Sequence, residues 1–178
     1  MLSNIFMIGP ASVGKSTVGV LLAEKLGYEF VDIDKEFCKR VGLIPEVVKS
    51  EGYASYCEKN SKLTDLLIAE NVQKTVFATP SGYLVHEESP QLVEKHIKVI
   101  GSGISVLLLP GPDPDAEVDT IVARQVSRWR DVEPDNERQR FLARFEKYKK
   151  HGDIKIFSKE LSEVIVEEIL NKIGGLSG

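Results

Sequence analysis

Short apolar runs alternate with longer amphipathic segments along the chain, and this pattern predicts a mixed α/β fold. The apolar runs are rich in β-branched and aromatic residues and are bounded by polar residues, which favours strands. They cover residues 5–8, 29–33, 75–78, 104–109 and 154–157. The third and fourth runs are almost wholly apolar, which is typical of parallel strands that helices cover on both faces.

The segments between these runs carry apolar residues at helical spacing, and each predicts a helix. The first helix includes residues 18–26, and the later ones are predicted over 34–41, 45–51, 54–72, 90–99, 116–130, 136–150 and 159–173. Strands and helices that alternate in this way indicate a doubly wound α/β sheet. Two stretches rich in Pro and Asp, 110–115 and 131–135, are predicted to be exposed loops.

The turn after the first predicted strand has the pattern Gly-x-x-x-x-Gly-Lys-Ser. Between a strand and a helix, such a turn binds phosphate, because its backbone N–H groups converge on the anion at the positive end of the helix dipole. We expect Lys15 to contact the β and γ phosphates of a nucleotide and Ser16 to offer its hydroxyl to Mg²⁺. The alternative is an ordinary glycine-rich connection. The predicted nucleotide contacts are Gly9, Ala11, Ser12, Val13, Gly14, Lys15, Ser16 and Thr17.

Two carboxylates, Asp32 and Asp34, follow at the end of the second predicted strand. In an extended backbone, side chains two residues apart project from one face, and the carboxyl ends of parallel strands border the usual ligand crevice. One carboxylate could hold the metal through water while the other accepts a proton from a substrate hydroxyl. Alternatively, Asp32 only ends the strand and Asp34 caps the next helix.

Other classes of nucleotide hydrolase fit the sequence less well. Neither 75–78 nor 104–109 ends in an acidic residue, as the corresponding strand of a motor-type ATPase would. An Asn-Lys-x-Asp motif and an Asp-x-x-Gly motif, which GTPases use, are also absent from the sequence. The pattern therefore favours phosphoryl transfer to a small molecule.

Length and charge limit the partners. The 178 residues fit a single domain, and 27 acidic against 23 basic side chains give a net charge of -4. This balance argues against binding to nucleic acid or to an anionic membrane that is mainly electrostatic. We therefore expect a small-molecule partner, no nucleic acid, no membrane, and a monomer or weak homo-oligomer.

Cysteine and histidine usage gives no sign of a metal site. Cys38 and Cys57 form neither a Cys-x-x-Cys pair nor a set with neighbouring histidines, so two reduced thiols in a cytoplasmic protein are expected. The histidines, at positions 86, 96 and 151, make no recognisable catalytic or metal-binding set. No apolar run is long enough to cross a membrane, and the short stretch before the phosphate-binding turn leads us to expect no signal peptide.

Four segments together resemble the shikimate kinase family, a branch of the nucleoside-monophosphate-kinase-like P-loop fold. They are Asn-Ile-Phe-Met-Ile-Gly at 4–9, Gly-Lys-Ser-Thr at 14–17, Leu-Leu-Ala-Glu-Lys-Leu-Gly-Tyr at 21–28 and Phe-Val-Asp-Ile-Asp-Lys at 30–35. The resemblance implies one kinase domain over 1–178 with a five-stranded parallel sheet and a mobile lid over roughly 124–138. It also implies Mg²⁺-dependent transfer of the γ-phosphoryl group of ATP to the 3-hydroxyl of shikimate. In that reaction Asp34 would contact the substrate hydroxyls and Asp32 would lie near the magnesium.

Later segments extend the resemblance to the rest of the site. The segment 142–148 is similar to a family segment in which an arginine four residues before a tyrosine binds the substrate carboxylate, a role that Arg144 would take. Arg128 resembles the catalytic lid arginine that touches the transferred phosphate, although Trp129 stands where the family usually has proline. Lys159 resembles the position of the adenine-side loop. The alternative for both arginines is an exposed helix surface.

Two departures from the family pattern lie in the acceptor half of the site. The family carries a triple-glycine turn against the substrate, where this chain has Thr-Pro-Ser-Gly at 79–82, which leaves Gly82 as a predicted substrate contact. Cys57 stands about where the family places a second carboxylate-binding arginine, and it is expected to be a packed helical thiol. These departures keep two alternatives open: a kinase for another polyol or sugar acid such as gluconate, or a nucleotide-binding module without transfer activity.

Overall fold

The structure is a computed structural model that describes residues 3–86, 89–128 and 133–176, with Arg128 described by its backbone alone. In these ranges, strands and helices alternate as the sequence predicted. The strands are β1 (Ile5–Ile8), β2 (Glu29–Asp32), β3 (Thr75–Ala78), β4 (Ile104–Leu109) and β5 (Ile154–Phe157). The helices are α1 (Lys15–Leu26), α2 (Ile33–Arg40), α3 (Ile44–Glu51), α4 (Tyr53–Glu70), α5 (Pro90–Ile100), α6 (Pro114–Arg128), α7 (Pro134–Tyr148) and α8 (Ser162–Leu176).

The five strands form one parallel sheet in the order β2-β3-β1-β4-β5. The order reverses at β1, which pairs with β3 on one side and β4 on the other. At such a reversal the carboxyl ends of the strands border an open crevice, where ligands bind in folds of this kind. The prediction of a doubly wound five-stranded parallel sheet is confirmed.

The centre of the sheet is apolar on both faces, which is why these strands read as continuous apolar runs. Every residue of β1 and β3 is buried, and the rings of Phe6 and Phe77 stack with their centroids 5.3 Å apart. Helix α1 packs closely against this layer at Gly19, where a Cβ atom would lie 2.6 Å from the ring of Phe30. The tight packing fixes the first turn of α1 beside the end of β1.

Several element boundaries differ from the prediction for local reasons. Helix α2 begins at Ile33, because the side chain of Asp32 accepts a hydrogen bond from the Lys35 N–H and caps it. Helices α6 and α7 both begin at a proline, two residues before the predicted starts, since proline is tolerated in the first helical turn.

The stretch 110–115 is only partly the exposed loop that its composition predicted, because only residues 112 and 113 lie in an exposed loop. Pro110 and Gly111 are buried, and residues 114 and 115 already belong to α6. Gly111 is tightly enclosed, because a Cβ atom there would lie 2.6 Å from a carboxylate oxygen of Glu117. In the second predicted loop, residues 131 and 132 lie outside the described residues and 134 and 135 begin α7. Among the described helices, none is both long and apolar enough to span a bilayer.

Candidate active site

The phosphate-binding turn has a backbone that glycine makes possible. Gly9 and Gly14 have φ angles of 141° and 98°, and Ser12 has a φ of 58°. At Gly9 a Cβ atom would lie 2.4 Å from the backbone oxygen of Leu108, so the turn can pass this close to β4 only with glycine there. The residues from Gly9 to Ser16 therefore wrap around the start of α1 as the motif predicted.

Lys15 directs its positive charge into this turn. Its side chain is largely buried, and Nζ donates hydrogen bonds to the backbone oxygens of Gly9 at 2.8 Å and Pro10 at 2.6 Å. These contacts hold the ammonium group among the backbone groups that surround a bound phosphate in such loops. The position fits the predicted role of Lys15.

Ser16 and Asp32, the predicted metal-binding pair, are in direct contact. The Ser16 hydroxyl donates to Asp32 Oδ2 at 2.7 Å, while Asp32 Oδ1 accepts the α2 capping bond from Lys35 at 3.1 Å. Hydroxyl and carboxylate oxygens are ligands that Mg²⁺ accepts, and Mg²⁺ typically binds one or two protein oxygens together with substrate phosphates. Over the described ranges, no three His, Cys, Asp or Glu side chains gather into a self-sufficient metal site. The donor set therefore fits a magnesium ion that arrives with a nucleotide.

Asp34 lies in the first turn of α2, next to both Lys15 and Asp32. Its pKa is raised from 3.8 to about 6, mainly because burial disfavours the charged carboxylate. The Lys15 charge and a hydrogen bond from the Tyr56 hydroxyl to Oδ1, 3.2 Å long, lower the pKa, and the charge of Asp32 raises it. Asp34 can therefore exchange a proton near neutral pH.

The structure corrects how these two carboxylates come together. They do not project from one face of an extended strand, because the helix already begins at Ile33. The alternative in which Asp34 caps the helix is also wrong, since Asp32 provides that cap. The two side chains meet instead across the junction of β2 and α2.

A cavity of about 750 Å³ opens beside Asp34, and we call it the acceptor cavity. Its walls come from α2, α3, α4, the turn after β3 and α7. The lining residues include the predicted substrate contacts Gly82 and Arg144. The full set is Asp34, Ile44, Pro45, Val48, Lys49, Tyr53, Tyr56, Cys57, Asn60, Pro80, Ser81, Gly82, Tyr83, His86, Arg140 and Arg144.

The turn after β3 holds Arg144 in place. Arg144 Nη1 donates to the Ser81 hydroxyl at 3.1 Å, and the Tyr148 hydroxyl donates to the Ser81 backbone oxygen at 3.0 Å. At Gly82 a Cβ atom would lie 2.5 Å from the Tyr53 hydroxyl, so a larger residue here would have to displace the end of the Tyr53 side chain. Ser81 thus anchors the predicted carboxylate-binding arginine.

A contact between Cys57 and His86 was not predicted from the sequence. Cys57 is buried, as expected of a packed helical thiol, and its Sγ lies 3.4 Å from His86 Nδ1. The pKa of His86 is lowered to about 4, mainly by burial and then by the charges of His96 and Arg144, so the imidazole is neutral. The rings of His86 and His96 lie 5.8 Å apart, so these two histidines are neighbours although they looked unrelated in the sequence.

A second cavity, of about 300 Å³, lies on the other side of the phosphate-binding turn. Lys159, the predicted adenine-side residue, borders it, and its Nζ pairs with the buried Glu117 carboxylate at 2.7 Å. Arg124 reaches the turn from α6, with Nη1 donating to the Ser12 backbone oxygen at 3.3 Å. The predicted nucleotide contacts that border this cavity are Ser12, Val13, Gly14, Thr17 and Lys159. Ala11 faces α6 and α7 instead.

The predicted lid falls partly outside the described residues. The side chain of Arg128, residues Trp129 and Arg130, and residues 131 and 132 belong to that part. The flanks of the predicted lid are the end of α6 and the beginning of α7. The catalytic role predicted for Arg128 therefore stays a prediction.

Comparison with known proteins agrees with this geometry. A family model described as shikimate kinase matches residues 11–174. The chain is 36% identical over 101 residues to a shikimate kinase of Alkaliphilus oremlandii, covering 56% of this chain and 59% of that protein. It is 42% identical over 88 residues to a shikimate kinase of Methylococcus capsulatus, covering 48% of each. The chain thus spans about half the length of the curated relatives it matches.

Solved structures match over almost the whole chain. A shikimate kinase from Acinetobacter baumannii in complex with shikimate superposes with a TM-score of 0.79 at 26% identity, covering 98% of this chain and 94% of that one. A gluconokinase from Sinorhizobium meliloti gives a TM-score of 0.52 at 20% identity, covering 98% and 93%, and shares the fold.

Proposed function

Because the chain belongs to the shikimate kinase family, we propose that it transfers the γ-phosphoryl group of ATP to the 3-hydroxyl of shikimate. The observation that carries this proposal is the position of Asp34. Its charge interacts with that of Lys15 in the phosphate-binding turn, and its side chain also borders the acceptor cavity. A hydroxyl group beside Asp34 would therefore face a phosphate held by Lys15. The solved relative with bound shikimate supports this choice of acceptor.

The residues have separate tasks in the proposed reaction. Lys15 and the amides of the turn bind the β and γ phosphates, and Ser16 with Asp32 would hold the Mg²⁺ that neutralises phosphate charge. Asp34 accepts the proton of the acceptor hydroxyl while the oxygen of that hydroxyl bonds to the γ-phosphorus. The bond between that phosphorus and the β–γ bridging oxygen breaks, and ADP leaves with the electron pair. Arg144 holds the acceptor carboxylate, and Arg128 is the proposed source of positive charge at the transferred group.

Another hydroxy acid, such as gluconate, is a second candidate acceptor. The observation in its favour is the neutral pair formed by Cys57 and His86, which borders the acceptor cavity where the family pattern has an arginine. Without that positive charge, the cavity is less selective for the ring and carboxylate of shikimate, so another hydroxy acid could bind there. The shared fold of the gluconokinase is compatible with this candidate.

ADP release, measured with a coupled assay, tests the proposal. The acceptors are shikimate, quinate, gluconate and nucleoside monophosphates, each with ATP and Mg²⁺ in excess. We expect ADP release that depends on shikimate. Release with another acceptor alone would contradict the proposal and reassign the substrate. If ATP binds but no acceptor releases ADP, the chain is a nucleotide-binding module.

The remaining proposals concern cofactors and context. We propose ATP as phosphoryl donor and Mg²⁺ as its metal, because the turn and the Ser16–Asp32 pair provide the matching donors. We propose a monomer or weak homo-oligomer that acts in the cytoplasm. Cys38 and Cys57 do not form a disulfide with each other, which is compatible with a reducing compartment.

A further inference from the structure

Helix α7 brings a second arginine to the acceptor cavity besides Arg144. Arg140 lies one helical turn before it, and both side chains line the acceptor cavity and an adjoining cavity of about 280 Å³. Both guanidinium charges also lower the pKa of Tyr53, which burial raises. The two cations therefore face the same part of the acceptor cavity.

The positions of the two arginines are fixed by different partners. Arg144 donates to the neutral Ser81 hydroxyl, and within the described residues no carboxylate forms an ion pair with it. Arg140 pairs with Glu137 on its own helix. Glu137 accepts from Gln125 Nε2 at 3.4 Å, and the Ser12 hydroxyl donates to Gln125 Oε1 at 2.9 Å. Arg140 is thus tied through α6 to the phosphate-binding turn.

The wall of the acceptor cavity that α4 forms carries no charged side chain. Helix α4 presents Tyr53, Tyr56, Cys57 and Asn60 to the cavity at helical spacing. Asn60 is 3% exposed, and its Nδ2 has no hydrogen-bond partner among the described residues. A buried amide donor left without a partner is costly, so a ligand oxygen that accepts from it would be favoured. Lys49 of α3, which is exposed, also borders the cavity.

We propose that Arg140 determines acceptor specificity by holding, together with Arg144, a single carboxylate of the acceptor. Two guanidinium groups one turn apart can give one carboxylate several charge-assisted hydrogen bonds. The uncharged α4 wall then receives the hydroxyl oxygens of the same molecule, with Asn60 as a donor. This inference rests on the proposed function and narrows the acceptor to monocarboxylic hydroxy acids whose carboxylate binds to arginines of α7.

The test compares Arg140→Gln with Arg138→Gln. Arg138 is a matched control, because it lies on the same helix and pairs with Asp119 of α6 but borders neither the acceptor cavity nor the adjoining one. Each variant loses one positive charge. The measurements are kcat and KM for shikimate and for ATP, repeated with the uncharged methyl ester of shikimate, and a thermal melt confirms that each variant folds.

We expect Arg140→Gln to raise the KM for shikimate about tenfold, the typical effect of losing a charge-assisted contact, with little change in the KM for ATP. Arg138→Gln should match the wild type. With the methyl ester, wild type and Arg140→Gln should differ less than twofold, because the charge that Arg140 binds is gone. Arg140→Lys should recover part of the loss, because it retains the positive charge.

Other outcomes separate this inference from the proposed function. If wild type phosphorylates shikimate and Arg140→Gln does so with an unchanged KM, the inference is wrong and the function stands. If wild type uses quinate or gluconate but not shikimate, the shikimate assignment fails, and the same comparison with that acid decides the inference. If equilibrium dialysis shows that wild type binds none of these acids, both fail.

Discussion

At the scale of single residues, the proposed reaction depends on a carboxylate whose pKa lies close to neutral pH. Asp34 is half-buried, and burial outweighs the nearby Lys15 charge in setting its pKa to about 6. A base with this pKa is mostly deprotonated at neutral pH and can still release its proton afterwards. Tyr56 keeps it oriented through one hydrogen bond.

The pKa of Asp34 sets an expected pH dependence of activity. Below a pH of about 6 the carboxylate becomes protonated, so kcat/KM for shikimate should fall about tenfold per pH unit. Asp34→Asn should reduce kcat by at least about a hundredfold and leave ATP affinity nearly unchanged. Rates measured from pH 4.5 to 9 test this. A profile without an acid limb, or full activity in the variant, would remove Asp34 from the chemistry.

The same carboxylate should lower the stability of the folded protein at neutral pH. Its folded pKa lies above the unfolded value of 3.8, so stability from this group is greatest at low pH and is lost as the pH rises through about 6. Asp34→Asn removes the buried charge, so it should raise Tm at pH 7.5 and change it little at pH 4. Calorimetry at the two pH values tests this. A lower Tm at pH 7.5 would show that the charge stabilises the fold.

Cys57 offers a gain-of-function test at the same scale. Cys57→Arg would restore the second arginine of the family pattern and should strengthen apparent shikimate binding about tenfold, or about 1.4 kcal/mol. The KM for ATP should not change, because Cys57 borders the acceptor cavity and not the nucleotide side. Cys57→Ser is the control, since it removes the thiol without adding charge. Weaker binding in the arginine variant, with normal folding, would contradict this expectation.

At the scale of elements, the first helix positions the phosphate-binding turn because it packs closely against the sheet. Gly19 allows the approach of α1 to β1 and β2, and Gly9 allows the turn to pass against β4. The start of α1 is therefore set by backbone contacts rather than by a side-chain cap, since Gly14 occupies the N-cap position.

Gly19→Ala should destabilise the protein although alanine favours helices. The new Cβ would lie 2.6 Å from the Phe30 ring, and overpacking costs about 1 to 3 kcal/mol against a helix-propensity gain of about 1 kcal/mol. Gly174→Ala on α8 is the control, because a Cβ atom there meets nothing within 4 Å. Urea unfolding compares both with wild type. Equal stability of the two variants would mean that α1 shifts at no cost.

At the scale of the whole molecule, the sheet order brings two separate half-sites to one edge. In the proposed reaction, the turn after β1 provides the nucleotide half, while the junction after β2 and the turn after β3 provide the acceptor half. The second half is completed by α7, which arrives from late in the sequence. Ligands at this edge therefore contact segments that are far apart in the chain.

Nucleotide binding should stabilise the molecule as a unit. A nonhydrolysable ATP analogue with Mg²⁺ at about 100 times its Kd should stabilise the folded state by about 2.7 kcal/mol and raise Tm. Lys15→Ala should abolish this shift together with phosphoryl transfer, because the phosphates lose the cation inside the turn. Differential scanning fluorimetry of wild type and variant, with and without the nucleotide, measures the shift in Tm. A full shift in the variant would place the nucleotide elsewhere.

The sequence was informative wherever function is encoded locally. The turn from Gly9 to Ser16, the strand before it and the helix after it could be predicted because the motif and the apolar pattern are contiguous in the chain. The anchoring of Arg144 by Ser81 could not be predicted, because the two residues are 63 positions apart and no sequence motif links them. The contact of Cys57 with His86 likewise depends on how α4 packs against the turn after β3.

Asp32 is a pleiotropic residue, because its two carboxylate oxygens serve different partners. One oxygen caps α2 and the other accepts the Ser16 hydroxyl. A substitution at this position would remove the cap of α2 and alter the proposed metal site at once, so lost activity in an Asp32 variant is not by itself a measure of metal binding. Substitutions at Asp32 are therefore limited by both roles, and a second mutation that restores activity would have to replace both the helix cap and the contact with Ser16.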